Sequence, residues 1–317
     1  VVKLVFCGTP RFAVPTLEAL HAAGHEIALV VSQPDRPAGR KQEIEPTPVK
    51  QAALAAGLAV TQPEKIRNHA EFRAQLEAIA PDAIVVVAYG RIIPPWMLAL
   101  PKFGCINLHA SLLPKYRGAA PIQWAVAMGE TVSGNTTMLL EEGLDTGPIL
   151  LQREVKIGPQ QTAADLFEVL AAEGAPLVVE TLSGLASATL HPRAQDHARA
   201  TLAPLLQRED GHMDFATHSA MELWNRWRGF QPWPGAFAFL DGRKLAFTSL
   251  LVAPPPYPND LPAGRPGELH LASGWLFLAC ARGTWLEVRE LQPEGKRSMT
   301  AAEFLRGARM QAGSQLS

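Results

Sequence analysis

The sequence predicts an α/β chain, a doubly wound domain of alternating strands and helices followed by a smaller all-β domain. Three observations carry that reading. Apolar runs alternate with amphipathic segments through the first part, and one run, Asp82 to Ala88, is nearly continuous, as in a strand covered on both faces. From Ala186 to Pro204 the pattern dissolves into Ser, Thr, Ala, His and Pro, which reads as a linker. Beyond it, short strand-like segments are separated by Gly, Pro and Asp, the pattern of a small β-barrel. The expected boundaries are 1–187, a linker at 188–204, and 205–317, in keeping with the two domains that 317 residues suggest.

Taken in order, Val1 to Phe6 reads as a buried strand and Pro15 to Ala23 as the helix that follows it. The turn between them, Gly8-Thr9-Pro10-Arg11-Phe12, lacks the G-x-G-x-x-G spacing of a dinucleotide site, which argues against a nicotinamide oxidoreductase. His25 to Val31 is the next strand. It feeds a long polar loop from Ser32 to Pro48, punctuated by Pro34, Pro37, Pro46 and Pro48 and made basic by Arg36, Arg40 and Lys41. A loop of that length inside a compact domain is usually functional or disordered. Val49 to Ala56 and His69 to Ile79 read as helices, with a short strand at Ala59 to Thr61. Val87-Ala88-Tyr89-Gly90 then stands at the carboxyl end of a strand, where doubly wound sheets bind ligands. A helix from Ile122 to Met128 is bounded by Pro121 and Gly129, and strands follow at Thr136 to Glu141 and Ile149 to Ile157. Thr162 to Leu185 is a long helix whose apolar stripe belongs to the core. In the second domain strands are expected at Ala236 to Leu240, Lys244 to Leu250, Trp275 to Cys280 and Trp285 to Glu290.

Composition narrows the class. The chain is 47% hydrophobic and 19% charged, with a net charge of -1, so nucleic-acid binding would have to come from local patches rather than from a global field. Cys7, Cys105 and Cys280 are far apart and form no metal-spaced cluster, and no metal is expected. The first residues resemble neither a signal peptide nor a membrane span. A cytoplasmic protein with no membrane partner, and a monomer, is the expectation.

One stretch concentrates the chemistry. After the apolar run Phe103 to Ile106, Asn107 and His109 stand two residues apart, which on a strand puts them on one face. Pro114, Gly118 and Pro121 then break the chain into a loop. An amide that can donate to an oxyanion beside an imidazole that can carry charge or a proton suits acyl transfer. The bland alternative is a pair of hydrogen-bonded structural residues. Downstream, Gly143-Leu144-Asp145-Thr146-Gly147-Pro148 places an acidic residue between glycines, in a loop able to approach another backbone closely.

Together with Phe6-Cys7-Gly8-Thr9-Pro10, Phe12-Ala13, Gln33 to Arg40, Val87 to Gly90 and Phe230-Gln231-Pro232-Trp233-Pro234, these stretches resemble the folate-dependent formyltransferases, most closely those acting on methionyl-tRNA. The matches fall in order along nearly the whole chain. The resemblance implies a Rossmann-like catalytic domain, an OB-like barrel that binds tRNA, and transfer of a formyl group from 10-formyltetrahydrofolate to methionyl initiator tRNA for translation initiation. It implies Asn107, His109 and Asp145 as the catalytic set. Ser111, Leu112, Leu113 and Pro114, with Val87, Tyr89 and Gly90, would hold the formyl-folate donor. Arg36, Arg40 and Lys41 would meet the tRNA, Arg40 matching the arginine the family uses there. Gln42-Glu43-Ile44 stands where further lysines are common. No nucleophilic Ser or Cys is required.

Relatives that formylate glycinamide ribonucleotide share the catalytic set but leave residues 205–317 unexplained. Relatives that formylate UDP-aminosugars share the set and a C-terminal barrel but lack the Arg36 to Arg40 loop, and are the alternative. A non-catalytic RNA-binding module would tolerate the barrel yet gives no reason for Asn107, His109 and Asp145 to occur together.

Overall fold

The structure is a computed structural model of the chain and describes residues 1–38, 43–255, 257, 261, 264–307 and 314–317. In chain order the first elements are β1 (Lys3–Gly8), α1 (Val14–Ala22), β2 (Glu26–Val31), β3 (Arg36–Ala38), β4 (Glu43–Glu45), α2 (Pro48–Ala55), β5 (Val60–Thr61), α3 (Ala70–Ile79) and β6 (Ala83–Val87). There follow α4 (Pro95–Leu98), β7 (Cys105–His109), α5 (Pro121–Ala127), β8 (Val132–Leu139), β9 (Ile149–Lys156) and α6 (Ala163–Ala186). Two compact units form. The first takes Val1–Pro121, Val132–Lys156 and Leu166–Pro204.

Its sheet has the order β5-β2-β1-β6-β7-β8-β9. The first five strands are parallel, but β8 and β9 run antiparallel to their neighbours, so the sheet is mixed where the sequence predicts a plain doubly wound one. The reason is that an apolar run reports burial and not direction; the interior of β8 is buried residue after residue, as a parallel strand would be. The chain turns back at β1, whose neighbours are β2 and β6, which makes the carboxyl ends of β1 and β6 the switch point of the sheet.

Helices cover both faces. Val5, Cys7, Ile84, Val86 and Cys105 pack with Phe72 and Leu76 of α3 and Met97 of α4. On the opposite face Leu108 of β7 lies under α6: a Cβ at Gly174 would fall 2.6 Å from Leu108 Cδ2, so the glycine lets the helix approach closely without displacing that side chain. By length and composition α6 could cross a membrane, but Leu166, Leu170, Leu177, Val178 and Leu182 are buried in the protein, as in a core helix. Alternation along β7 sets Asn107 and His109 on the side of Cys105, away from α6.

Two segments differ from the expectation of loop and linker. The stretch from Ser32 to Pro48 contains a hairpin, in which β3 and β4 pair antiparallel with Arg36 opposite Glu45 and Pro37 opposite Ile44. Its base is closed by Asp35, whose carboxylate accepts from Thr47 N, Lys50 Nζ and Gln62 Nε2. Proline masks strands this short, because Pro37 gives no ladder donor and reads as a break. The stretch after α6 is a strap on the first unit. Arg193 exchanges both backbone hydrogen bonds with Ile149, Thr201 O accepts from Arg117 N, and Ala203 bonds Arg117 and Ala120. Irregular backbone bonding leaves no sequence period to read.

The second unit takes Ile122–Thr131, Ile157–Asp165 and Leu205–Ser317. It contains α7 (Ala220–Gly229), β10 (Phe237–Leu240), β11 (Arg243–Val252), β12 (Leu269–Ala272), β13 (Trp275–Cys280), β14 (Thr284–Pro293), β15 (Met299–Thr300) and α8 (Ala301–Gly307). The antiparallel order is β10-β11-β14-β13-β12, with β15 on β14; β12, β15 and α8 are not foreseen from sequence. Leu245, Phe247, Leu276, Leu278, Leu286 and Val288 form the core with Leu223 and Trp224 of α7. Ser314 to Ser317 hydrogen-bond to both outer strands: Leu269 N donates to Ser314 O at 2.9 Å, and Phe239 N to Ser317 O at 2.8 Å. Residues 122–131 join this unit through α7, where Gly229 meets Ala127 and the Trp124 ring stands edge-on to Phe230 at 5.3 Å.

Candidate active site

β7 delivers its polar residues at the carboxyl end of the sheet. Val86 of β6 pairs with Asn107, so the end of β7 lies beside the Val87 to Gly90 exit. Asn107 is half-buried, and among the described residues its carboxamide makes no hydrogen bond. His109 is buried, with its ring fixed on one nitrogen and facing a carboxylate on the other.

Nε2 lies 2.9 Å from the Tyr116 carbonyl oxygen. A carbonyl only accepts, so Nε2 carries the proton and donates, and the neutral ring has its lone pair on Nδ1. Nδ1 faces Asp145, with Oδ2 at 3.8 Å. Any further proton on this imidazole therefore enters or leaves at Nδ1, beside a carboxylate. Both partners come from residues with left-handed backbone, Tyr116 at φ 61 and Asp145 at φ 49. Such a conformation is uncommon for residues with a Cβ and clusters at sites where geometry is over-determined by its surroundings.

The surroundings do constrain it. Gly118 N donates to Asp145 Oδ2 at 2.8 Å, tying the Asp145 loop to the segment that follows His109. Gly147 must be glycine, since a Cβ would collide with the Leu139 carbonyl oxygen. Gln195, from the strap, donates through Nε2 to the carbonyls of Asp145 at 2.8 Å and Gly147 at 2.7 Å. Its Oε1 accepts from Arg117 Nη2 at 2.6 Å and Nε at 3.2 Å. Sequence reasoning misses Gln195 and gives Arg117 no role. Gln195 is the single buried residue between His191 and Arg199, and no pattern marks it.

The loop of Ser111, Leu112, Leu113 and Pro114 is locked to β8 and β9. Thr136 Oγ1 donates to Ser111 O at 2.6 Å and accepts from Leu113 N at 3.1 Å, while Gln152 Nε2 donates to Leu113 O at 2.9 Å. Ser111 Oγ is used internally, donating to Lys115 O at 2.6 Å. At the β6 exit the Tyr89 side chain points into the core, with burial raising its phenol above the ordinary value and leaving the hydroxyl unpartnered among the described residues. Its carbonyl accepts from Thr9 Oγ1 at 3.1 Å and Gln33 Nε2 at 2.8 Å, so this strand end is braced from β1 and β2. Arg36 is exposed on the hairpin. Arg40 and Lys41 lie outside the described residues.

Residues 2–182 match the Formyl transferase family and residues 205–309 match its C-terminal domain. The chain belongs to the formyl transferase family. It is 64% identical over 305 residues to a methionyl-tRNA formyltransferase of Acidobacterium capsulatum, covering 96% of each chain. It is 53% identical over 313 residues to one of Koribacter versatilis, covering 99% of this chain and 98% of that one. Among solved structures, the N-formyltransferase from Helicobacter canadensis, in complex with folinic acid and dTDP-3-aminofucose, aligns with a TM-score of 0.66 at 17% identity, over 92% of this chain and all of that one. At that identity the likeness is one of fold. As a member of this family the chain is a formyl-transfer enzyme.

Proposed function

We propose that this enzyme moves the formyl group of 10-formyltetrahydrofolate to the free amine of methionyl initiator tRNA, and that Asn107, His109 and Asp145 carry the reaction. The observation that supports the roles most directly is the His109 ring, fixed on Nε2 by Tyr116 and open to proton exchange at Nδ1 beside Asp145. The amine attacks the formyl carbon, a C–N bond forms, and the carbonyl electrons move to oxygen. The Asn107 amide and the Nδ1–H of a protonated His109 stabilise that oxyanion. Asp145 balances the imidazolium and, with a water, carries the proton from the attacking amine to N10 as the original C–N bond breaks. No metal is needed for these steps.

Ser111, Leu112, Leu113 and Pro114, with the backbone of Val87, Tyr89 and Gly90, line the donor site in this reading. Arg36, at the start of the hairpin, and Arg40 and Lys41, which follow Arg36 in sequence, meet the acceptor stem in this reading. The first unit is the catalytic domain, and the second, as an OB-like barrel, binds tRNA. We infer a cytoplasmic monomer. The relatives aligned over nearly their full length favour the tRNA acceptor over a UDP-aminosugar. The deciding assay measures formylation of methionyl initiator tRNA against a UDP-aminosugar with the same donor. Turnover is expected with the tRNA alone, and preferential formylation of the sugar would overturn the reading.

A further inference from the structure

The strap that follows α6 reaches the site through one buried side chain. Gln195 uses all of its hydrogen-bonding capacity at once: two donors to the carbonyls of Asp145 and Gly147, and two bonds accepted from Arg117. The orientation of its amide is not a free choice. Arginine has only donors and a carbonyl only accepts, so a flipped amide would oppose donor to donor and acceptor to acceptor at four contacts. Arg117 is itself buried, contacts His197 Nδ1 at 3.1 Å, and immediately precedes Gly118, whose N–H holds the Asp145 carboxylate. A closed ring of contacts results, running Asp145 backbone, Gln195, Arg117, Gly118, Asp145 carboxylate.

We propose that Gln195 is a positioning residue for the transfer reaction: by gripping the carbonyls on either side of Thr146 it holds Asp145 in its left-handed conformation, with the carboxylate on His109. This rests on the role assigned to Asp145 above. The ring explains why a backbone conformation costing on the order of 1 kcal/mol or more persists at Asp145, since both ends of that residue are tied. It also separates two things that Gln195 does. Its Oε1 satisfies a buried arginine, which is a contribution to folding, whereas its Nε2 sets the Asp145 loop, which is a contribution to turnover.

Gln195→Glu divides these. The carboxylate keeps the acceptors for Arg117, and with charge, but removes both donors and sets oxygen against the two carbonyls. Gln195→Leu removes all four bonds. Single-turnover formylation of methionyl initiator tRNA, donor affinity, the pH profile of the rate and thermal unfolding are measured for both, and for Gln195→Glu combined with Asp145→Asn. The expected result is a folded Gln195→Glu enzyme with donor affinity within about twofold of wild type, a rate lowered about tenfold or more, and an altered pH profile. In the Asp145→Asn background the same change is expected to add almost nothing, because groups acting through one another are non-additive. Wild-type rate and pH profile in Gln195→Glu, or full additivity with Asp145→Asn, would overturn the proposal while leaving Asp145 in place. A wild-type rate for Asp145→Asn alone would overturn the catalytic reading itself, and with it the role of Gln195. Loss of the fold in both single variants would make the clamp a stability element only.

Discussion

His109 and Asp145 approach each other through one nitrogen and one oxygen, Nδ1 and Oδ2, at 3.8 Å. That separation is longer than a hydrogen bond and short enough for a charged pair, so the carboxylate is poised for a proton on Nδ1 without yet sharing one. His109→Ala is expected to lower turnover by about 10² or more with donor affinity nearly unchanged, because the proposed mechanism has the ring act on the transition state. Asp145→Asn is expected to act in the same sense and to change the pH profile, since it keeps the shape and removes the charge. Rapid-quench rates across pH, alongside donor titrations, check both; an unaltered profile for Asp145→Asn would count against the pair.

Arg40→Ala is expected to reduce formylation of initiator tRNA about tenfold, roughly 1.4 kcal/mol, at unchanged donor affinity, and to flatten the salt dependence of the rate. Asp35→Asn should reproduce the tRNA defect more weakly, by loosening the hairpin base it shares with Thr47, Lys50 and Gln62. Lys50 chiefly, with Gln62 and Thr47, holds the Asp35 carboxyl below its ordinary range. Equal rates and equal salt slopes in wild type and Arg40→Ala would remove that arginine from tRNA recognition.

Ser219 and Glu222 form a reciprocal cap at the start of α7, Ser219 N donating to Glu222 Oε2 at 2.7 Å. The Ser219 N–H and hydroxyl, then Arg282, lower the Glu222 carboxyl from 4.5 to about 2. A folded value below the unfolded one stabilises the protein above the unfolded value and is lost as pH falls through the folded one. Glu222→Gln should therefore lower the urea midpoint at pH 7, with the difference from wild type shrinking between pH 4.5 and 2. Ser219→Ala is expected to cost about 1 kcal/mol. A difference that stays constant across this range would rule out the charge as its source.

Cys7, Cys105 and Cys280 are free and buried. Burial pushes the Cys105 and Cys280 thiols up to about 12 and the Cys7 thiol well above its ordinary value, with Cys105 adding to the effect on Cys7. Since the thiolate is the reactive form, native protein at pH 8 is expected to resist iodoacetamide, whereas protein unfolded in urea takes up label on all three. Mass spectrometry distinguishes the two, and rapid native labelling at any one position would show that its surroundings open.

The sequence reading succeeds where a side chain's placement is written in a local period. Asn107 and His109 are paired by the two-residue repeat of β7, and the parallel strands β1, β2 and β6 by their apolar runs. It fails where the determinant is non-local. Nothing in Gln195 or Arg117 announces that the two meet across 78 positions, and the direction of β8 is decided by its partners rather than by its own residues. The hairpin of β3 and β4 is hidden by the prolines that also bound it. Asp145 is recoverable only because its glycine-flanked setting resembles a known family, and its backbone strain becomes visible only in three dimensions.

Ser314 to Ser317 bond to the strands at the two ends of the antiparallel order, β10 on one side and β12 on the other. A strand at the end of a sheet is otherwise a row of unspent donors and acceptors that any passing chain can extend. Four residues thus silence two such templates at once, so that a chain deprived of them would keep most of its core yet gain two adhesive margins. Its fate would be decided less by unfolding than by association, with sheet added to sheet as the concentration rises.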